Sequence, residues 1–210
     1  MNRVRSLLIL AAFLGSTSTL AGVYDDMLNA LTTKDVGQVR SLLLRGMDVN
    51  TTDQNGNSLL MLAAQNGDFP MLEMLLRNKP NILRKNKYGD SALMLAAIRG
   101  DLKSVVALVA AGAEIDPEGW TPLIYAAFEG QTEVVRFLLT LDIDIDAQAA
   151  NGMTALMAAA RNGNLEIVRI LLEQEADVHL VNQDGKTALE LARIGKHAEI
   201  VGLLENAGRR

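Results

Sequence analysis

The chain has 210 residues, with 20 Lys+Arg against 25 Asp+Glu, no Cys, two His and one Trp. An apolar fraction of 49% excludes a wholly disordered chain. The missing cysteines exclude a disulfide framework, Cys-ligated zinc, iron–sulfur clusters and a thiol nucleophile. Two histidines exclude multi-His metal sites, and a net charge of −5 gives no support to nucleic-acid binding, which leaves a basic footprint.

Residues 1–21 read as a secretory signal peptide. Arg3 and Arg5 form a basic end, Leu7 to Leu14 is an apolar run of eight, and Thr19 and Ala21 place small residues before a cut after Ala21. The run is far short of the ~20 apolar residues that span a membrane. No Cys follows it, so a lipid-anchored form is excluded. Removing residues 1–21 takes away two Arg and no acid, leaving 18 bases against 25 acids, a net of −7. Export into an oxidising compartment without cysteines means that stability comes from packing.

The remainder, 22–210, is a repeat. Gly56, Gly89, Gly119, Gly152 and Gly185 recur at spacings of 33, 30, 33 and 33. Gly67, Gly100, Gly130, Gly163 and Gly195 follow them ten or eleven residues later. Between the two sets lie related segments such as Ser91-Ala-Leu-Met-Leu-Ala-Ala and Thr121-Pro-Leu-Ile-Tyr-Ala-Ala. Asn55-Gly56, Asn151-Gly152 and Asp184-Gly185 suit a tight turn with positive φ. The Ser or Thr two residues later is a helix N-cap, and Pro122 takes a first helical position that has no N–H to lose. Thr187 with Glu190 fits a capping box. The Ala-Ala pairs let neighbouring helices approach, and the second glycine is expected to end the helix in a left-handed conformation. An apolar second helix follows, as in Ile167-Val-Arg-Ile-Leu-Leu. Each unit is thus a turn and two short antiparallel helices, which must stack to bury their apolar faces.

This pattern closely resembles the ankyrin repeat family over about residues 24–206. Thr121-Pro122-Leu123, Gly46-Met47-Asp48-Val49-Asn50 and Ala176-Asp177-Val178 carry the likeness. The resemblance implies an all-α solenoid of helix-turn-helix units with short β-hairpin tips and about six repeats. Their ranges are 24–53, 54–86, 87–116, 117–149, 150–182 and 183–206, the first and last reading as caps. The family's histidine, which ties neighbouring loops, is replaced by Met61, Met94, Ile124, Met157 and Glu190. Apolar packing is expected in its place. The tip at 113–119 is three residues short and contains Pro117, so one truncated or unpaired hairpin is expected between repeats three and four.

No catalytic constellation is present, and the chain is read as a non-enzyme without cofactor or metal. His179 and His197 read as loop and helix-start residues. Asp142, Asp144 and Asp146 lack the Gly and distal Glu of a calcium loop and read as solvated carboxylates. The resemblance implies a concave binding face built from hairpin tips and first-helix ends. On it, Tyr88, Ile98, Arg99, Trp120, Phe128, Met153 and Arg161 are expected to bind a partner, since Trp, Tyr and Arg dominate interface hot spots. The competing reading packs Trp120 on Phe128 to patch the shortened tip. The expected function is an exported protein-binding module whose partner is another protein. It is expected to be a monomer that is periplasmic or secreted, with no nucleic acid and no stable membrane insertion. Small ankyrin proteins with a signal peptide typify the Gram-negative periplasm, and the likeness implies a part in envelope or oxidative-stress protection. The alternative is an immunity or inhibitor protein that neutralises a toxin or enzyme, its charge of −7 suiting a basic partner.

Overall fold

The computed structural model describes residues 17–209. Most of the expected signal peptide, residues 1–16, lies outside the described residues. Among the described residues there are twelve helices and no strands. They are α1 (Thr17–Thr32), α2 (Val36–Leu44), α3 (Leu59–Asn66), α4 (Phe69–Leu76), α5 (Ala92–Arg99), α6 (Leu102–Ala110), α7 (Pro122–Glu129), α8 (Thr132–Leu138), α9 (Ala155–Asn162), α10 (Leu165–Glu173), α11 (Ala188–Ile194) and α12 (Ala198–Ala207). The chain divides into two units, one ending at Asp48 and one running from Val49 to Arg210.

The first unit holds α1 packed on α2. Met27, Ala30 and Leu31 are buried on α1, and Val39 and Leu42 on α2. Asp35 caps α2 by accepting the Gln38 N–H.

The second unit holds five helix pairs in two layers. The inner helices α3, α5, α7, α9 and α11 each touch the next, and so do the outer helices α4, α6, α8, α10 and α12. Alanine makes the inner layer close: Ala63, Ala64, Ala96, Ala97, Ala126, Ala127, Ala159 and Ala160 are all buried. Leucines fill the space between layers, and Leu60, Leu93, Leu123 and Leu156 are at most 3% exposed. Each such side chain contributes about 1.5–3 kcal/mol of burial.

The inner helices start where the sequence places a hydroxyl. Ser58, Ser91, Thr121, Thr154 and Thr187 adopt extended backbone and accept the N–H three residues on. Thr187 and Glu190 complete a reciprocal box, with the Glu190 carboxylate accepting the Thr187 N–H at 2.7 Å. That backbone bond holds the Glu190 carboxyl below its ordinary range. Met61 and Met94 correct the expectation of purely apolar packing at the family's histidine position. Their sulfurs accept the backbone N–H of Ser58 at 3.4 Å and of Ser91 at 3.2 Å. Methionine therefore closes a capping box as glutamate does in the last repeat.

The left-handed helix end holds in repeats two to five and fails in repeat six. Gly67, Gly100, Gly130 and Gly163 have φ between 61 and 80°. Gly195 is right-handed at φ −72°, and Lys196 takes the left-handed place at φ 61°. The reason is register. The first four glycines sit nine residues after the capping Ser or Thr, whereas Gly195 sits eight after Thr187 and Lys196 nine.

Four of the five tips close by the same backbone bonds. The N–H of Asp53, Asn86, Ala149 and Asn182 donates to the carbonyl four residues on, at 2.9–3.0 Å. The tip at 116–120 makes no such bond, as expected from its missing residues and Pro117. Among the described residues only Thr52 with Ser58 and Lys85 with Ser91 reach the geometry of an isolated β-bridge, so the tips are bonded turns rather than hairpin strands.

Candidate protein-interaction face

The site is built on a row of cross-repeat bonds that hold the inner-helix ends in line. Asp68 and Asp101 cap their own outer helices, α4 and α6. At the same position Gln131, Asn164 and His197 make no cap bond to α8, α10 or α12. They reach back instead to the end of the inner helix one repeat earlier, α5, α7 and α9 respectively. Gln131 donates to the Ile98 carbonyl at 2.9 Å, and Asn164 to the Ala127 carbonyl at 2.7 Å. His197 Nε2 lies 3.1 Å from the Arg161 carbonyl. The last histidine is thus a structural tie. The helix-ending glycine is needed where this side chain crosses: a Cβ on Gly163 would meet the His197 ring at 2.5 Å.

Tip residues follow a two-way register around the turn glycine. The residue before it, Asn55, Tyr88, Glu118, Asn151 or Asp184, is exposed. The residue after it turns inward. Asn57 is 8% exposed and Met153 only 3%, while Asp90, Trp120 and Lys186 are half-buried. Met153 is therefore removed from the expected partner-binding set: it belongs to the core, because its tip position points at the stack.

Trp120 takes the same inward position, and the tip beside it is the short one. Its ring lies 4.9 Å from Tyr125 and 5.8 Å from Phe128, the latter edge-on. Such aromatic pairs add about 0.5–1.5 kcal/mol beyond burial. The packing expected between Trp120 and Phe128 is present, and Tyr125 is the member that sequence reasoning missed. Its position carries Leu62, Leu95, Ala158 and Leu191 in the other repeats. The aromatic there was the available signal.

The Tyr125 hydroxyl donates to Asp90 Oδ1 at 2.9 Å. Burial first, and then this carboxylate, push the phenol up to about 12. Asp90 also accepts from Asn86 Nδ2 at 3.3 Å, Asn86 Nδ2 donates to Asn57 Oδ1 at 2.8 Å, and Asn57 donates to Asp53 at 2.9 Å. A chain of side-chain bonds thus joins the tips of repeats two and three and ends at the aromatic cluster of repeat four. It spans the junction where the short tip offers no bond of its own.

The remaining expected site residues fall into two groups. Tyr88 is 74% exposed, and Arg99 and Arg161 are exposed and make no ion pair among the described residues. Ile98 and Phe128 are half-buried at the ends of α5 and α7. Successive contacts of α5 with α7 and of α7 with α9 place these ends side by side. The acidic loop serves backbone: Asp144 accepts the Asp146 N–H at 3.0 Å, and Asp146 accepts the Asp177 N–H at 2.9 Å. His179 is an exposed loop residue whose N–H donates to Asp177. Among the described residues, no helix is long and apolar enough to cross a membrane.

Helix pairs of this kind, stacked in two layers and tied at both loops, define a helical repeat protein. The sequence profile described as ankyrin repeats (3 copies) matches residues 27–118, 83–149 and 141–209, and the chain belongs to that family. Ankyrin repeats are protein–protein interaction modules. The human ASB11 ankyrin repeat domain superposes with a TM-score of 0.79 at 26% identity, covering 86% of this chain and 82% of that one. A transient receptor potential cation channel subfamily A member 1 homolog of Caenorhabditis elegans is 34% identical over 102 residues, 48% of this chain. The nuclear factor NF-kappa-B p105 subunit of Gallus gallus is 32% identical over 131 residues, 59% of this chain. The matches span only 8% and 13% of those two proteins.

Proposed function

We propose that this protein is an exported, non-enzymatic interaction module that holds a partner protein on the concave face at repeats three to five. The observation that carries the reading is the concentration of hot-spot residues there. Two arginines without an ion pair among the described residues, Arg99 and Arg161, flank the half-exposed Trp120–Tyr125–Phe128 cluster, with Tyr88 exposed on the neighbouring tip. Trp, Tyr and Arg are the side chains that interfaces use most as anchors. The basic, apolar and small-residue order of residues 1–21 supports export to a periplasmic or extracellular space. A protective role in the cell envelope or against oxidative stress is part of this proposal.

Affinity purification of the exported chain from the envelope yields the partner, and isothermal titration then tests the face. Trp120→Ala and Arg161→Ala are expected to weaken the complex at least tenfold. Arg136→Ala, on outer helix α8, is expected to leave it unchanged. Equal affinity for all three variants overturns the reading.

A further inference from the structure

The loop at 83–88, Leu-Arg-Lys-Asn-Lys-Tyr, departs from the repeat pattern at Leu83, where a cross-repeat bond is lost. In three other repeats the equivalent of Leu83 is an Asn or Asp that accepts an N–H from the next unit. Asn50 accepts from Asn81 at 2.7 Å, Asp116 from Asp144 at 3.2 Å, and Asp146 from Asp177 at 2.9 Å. Leucine cannot accept, so the rung is missing. Nor is the side chain buried in compensation, since it is 61% exposed. Five residues on, Tyr88 is 74% exposed. Two of the large exposed apolar side chains thus sit on one loop, where isolated ones are the norm.

Between them lie three bases, Arg84, Lys85 and Lys87. Lys85 pairs with Glu114 at 3.2 Å across a half-exposed contact, and Arg84 reaches the Asn50 carbonyl only at 3.4 Å. Lys87 has no ion pair among the described residues. The wider segment 77–103 holds seven bases and two acids, in a chain that is acidic as a whole. Both acids are engaged internally, Asp90 by Tyr125 and Asn86, and Asp101 by Ser104. Outside the segment, Glu73 pairs with Arg77 and Glu114 with Lys85, which leaves Lys79, Arg84, Lys87, Arg99 and Lys103 without an ion pair among the described residues.

We propose that the 83–88 loop is a docking site for an acidic protein segment carrying an apolar residue, with Leu83 and Tyr88 gripping the apolar residue and Lys87 and Arg84 pairing its carboxylates. This rests on the reading of the chain as a protein-interaction module, and it names the chemistry of the partner. It is independent of Trp120, so the two can fail separately. Positive charge at the rim of an apolar contact sets partner choice and association rate. The net acidity of the chain disfavours a nucleic acid, whose backbone requires a broad basic surface.

The test uses the full chain and a fluorescein-labelled decapeptide, Glu-rich with a central Trp-Leu pair. A Lys-rich peptide with the same centre and a ten-nucleotide single-stranded DNA serve as comparisons. The Glu-rich peptide is expected to bind at 50 mM NaCl and about tenfold more weakly at 300 mM. Lys87→Glu is expected to weaken it about tenfold. Leu83→Asn separates binding from folding, because it restores the missing rung: affinity is expected to fall at least threefold while Tm holds or rises. The proposal is overturned if the Lys-rich peptide binds as well, if Lys87→Glu and Leu83→Asn leave affinity unchanged, or if the DNA binds more tightly than the Glu-rich peptide. Retained peptide binding in Trp120→Ala supports the loop site even where the concave-face reading fails.

Discussion

Tyr125 is the residue on which the short tip depends. Its hydroxyl bond to Asp90 joins two repeats at the junction where the tip backbone makes none. Tyr125→Phe is expected to cost about 1 kcal/mol at pH 7, the usual net worth of such a bond. The pH dependence has a definite sign. The phenol is raised from 10.0 to about 12, so folding favours its protonated form. Its contribution is complete below pH 10 and is lost as pH rises through 12. Urea titrations at pH 7, 10 and 11.5 check this: the stability gap between chain and variant narrows only in the alkaline range. A gap that closes on acidification contradicts the assignment. Asn164→Ala removes the donor to the Ala127 carbonyl and is expected to cost about 1–3 kcal/mol, because a half-buried acceptor is left unpaired. Arg136→Ala breaks a surface ion pair with Glu166 and is expected to cost less than about 1 kcal/mol in the same assay.

At the scale of elements, helix starts were legible and helix ties were not. A cap involves residues three apart, so Ser58, Thr121 and Thr187 declare themselves in the sequence. Gln131, Asn164 and His197 act on carbonyls 33 to 37 residues away, and only the stack brings those together. Met153 was misread for a related reason: which side of a turn glycine faces the core is set by the tip's closure, not by residue type. The end of α11 is hidden in the sequence because Gly195 lies one residue short of the register that the cap sets. The shortened tip, by contrast, was legible as missing residues. It carries a prediction of its own. The amides of Asp116 and Gly119 are expected to exchange with deuterium at least tenfold faster than those of Asn86 and Gly89, which are bonded in their turn. Equal protection contradicts the open tip.

At the scale of the whole molecule, stability is a sum of units and neighbour contacts, and a central lesion weakens both sides. Leu156→Ala, in the fully buried inner layer, is expected to cost about 2–5 kcal/mol in urea unfolding. The proposed anchors are distributed differently: they gather at repeats three to five, around the one tip that lacks the closing bond among the described residues, and the basic loop lies at their edge. That placement is the central claim, and hydrogen exchange of the chain with and without a purified partner tests it most directly. The account predicts protection over 84–99, 117–129 and 155–162, with outer helices α8 and α10 unchanged. Protection confined to the outer helices, with the Trp120 segment exchanging as in the free chain, would contradict it.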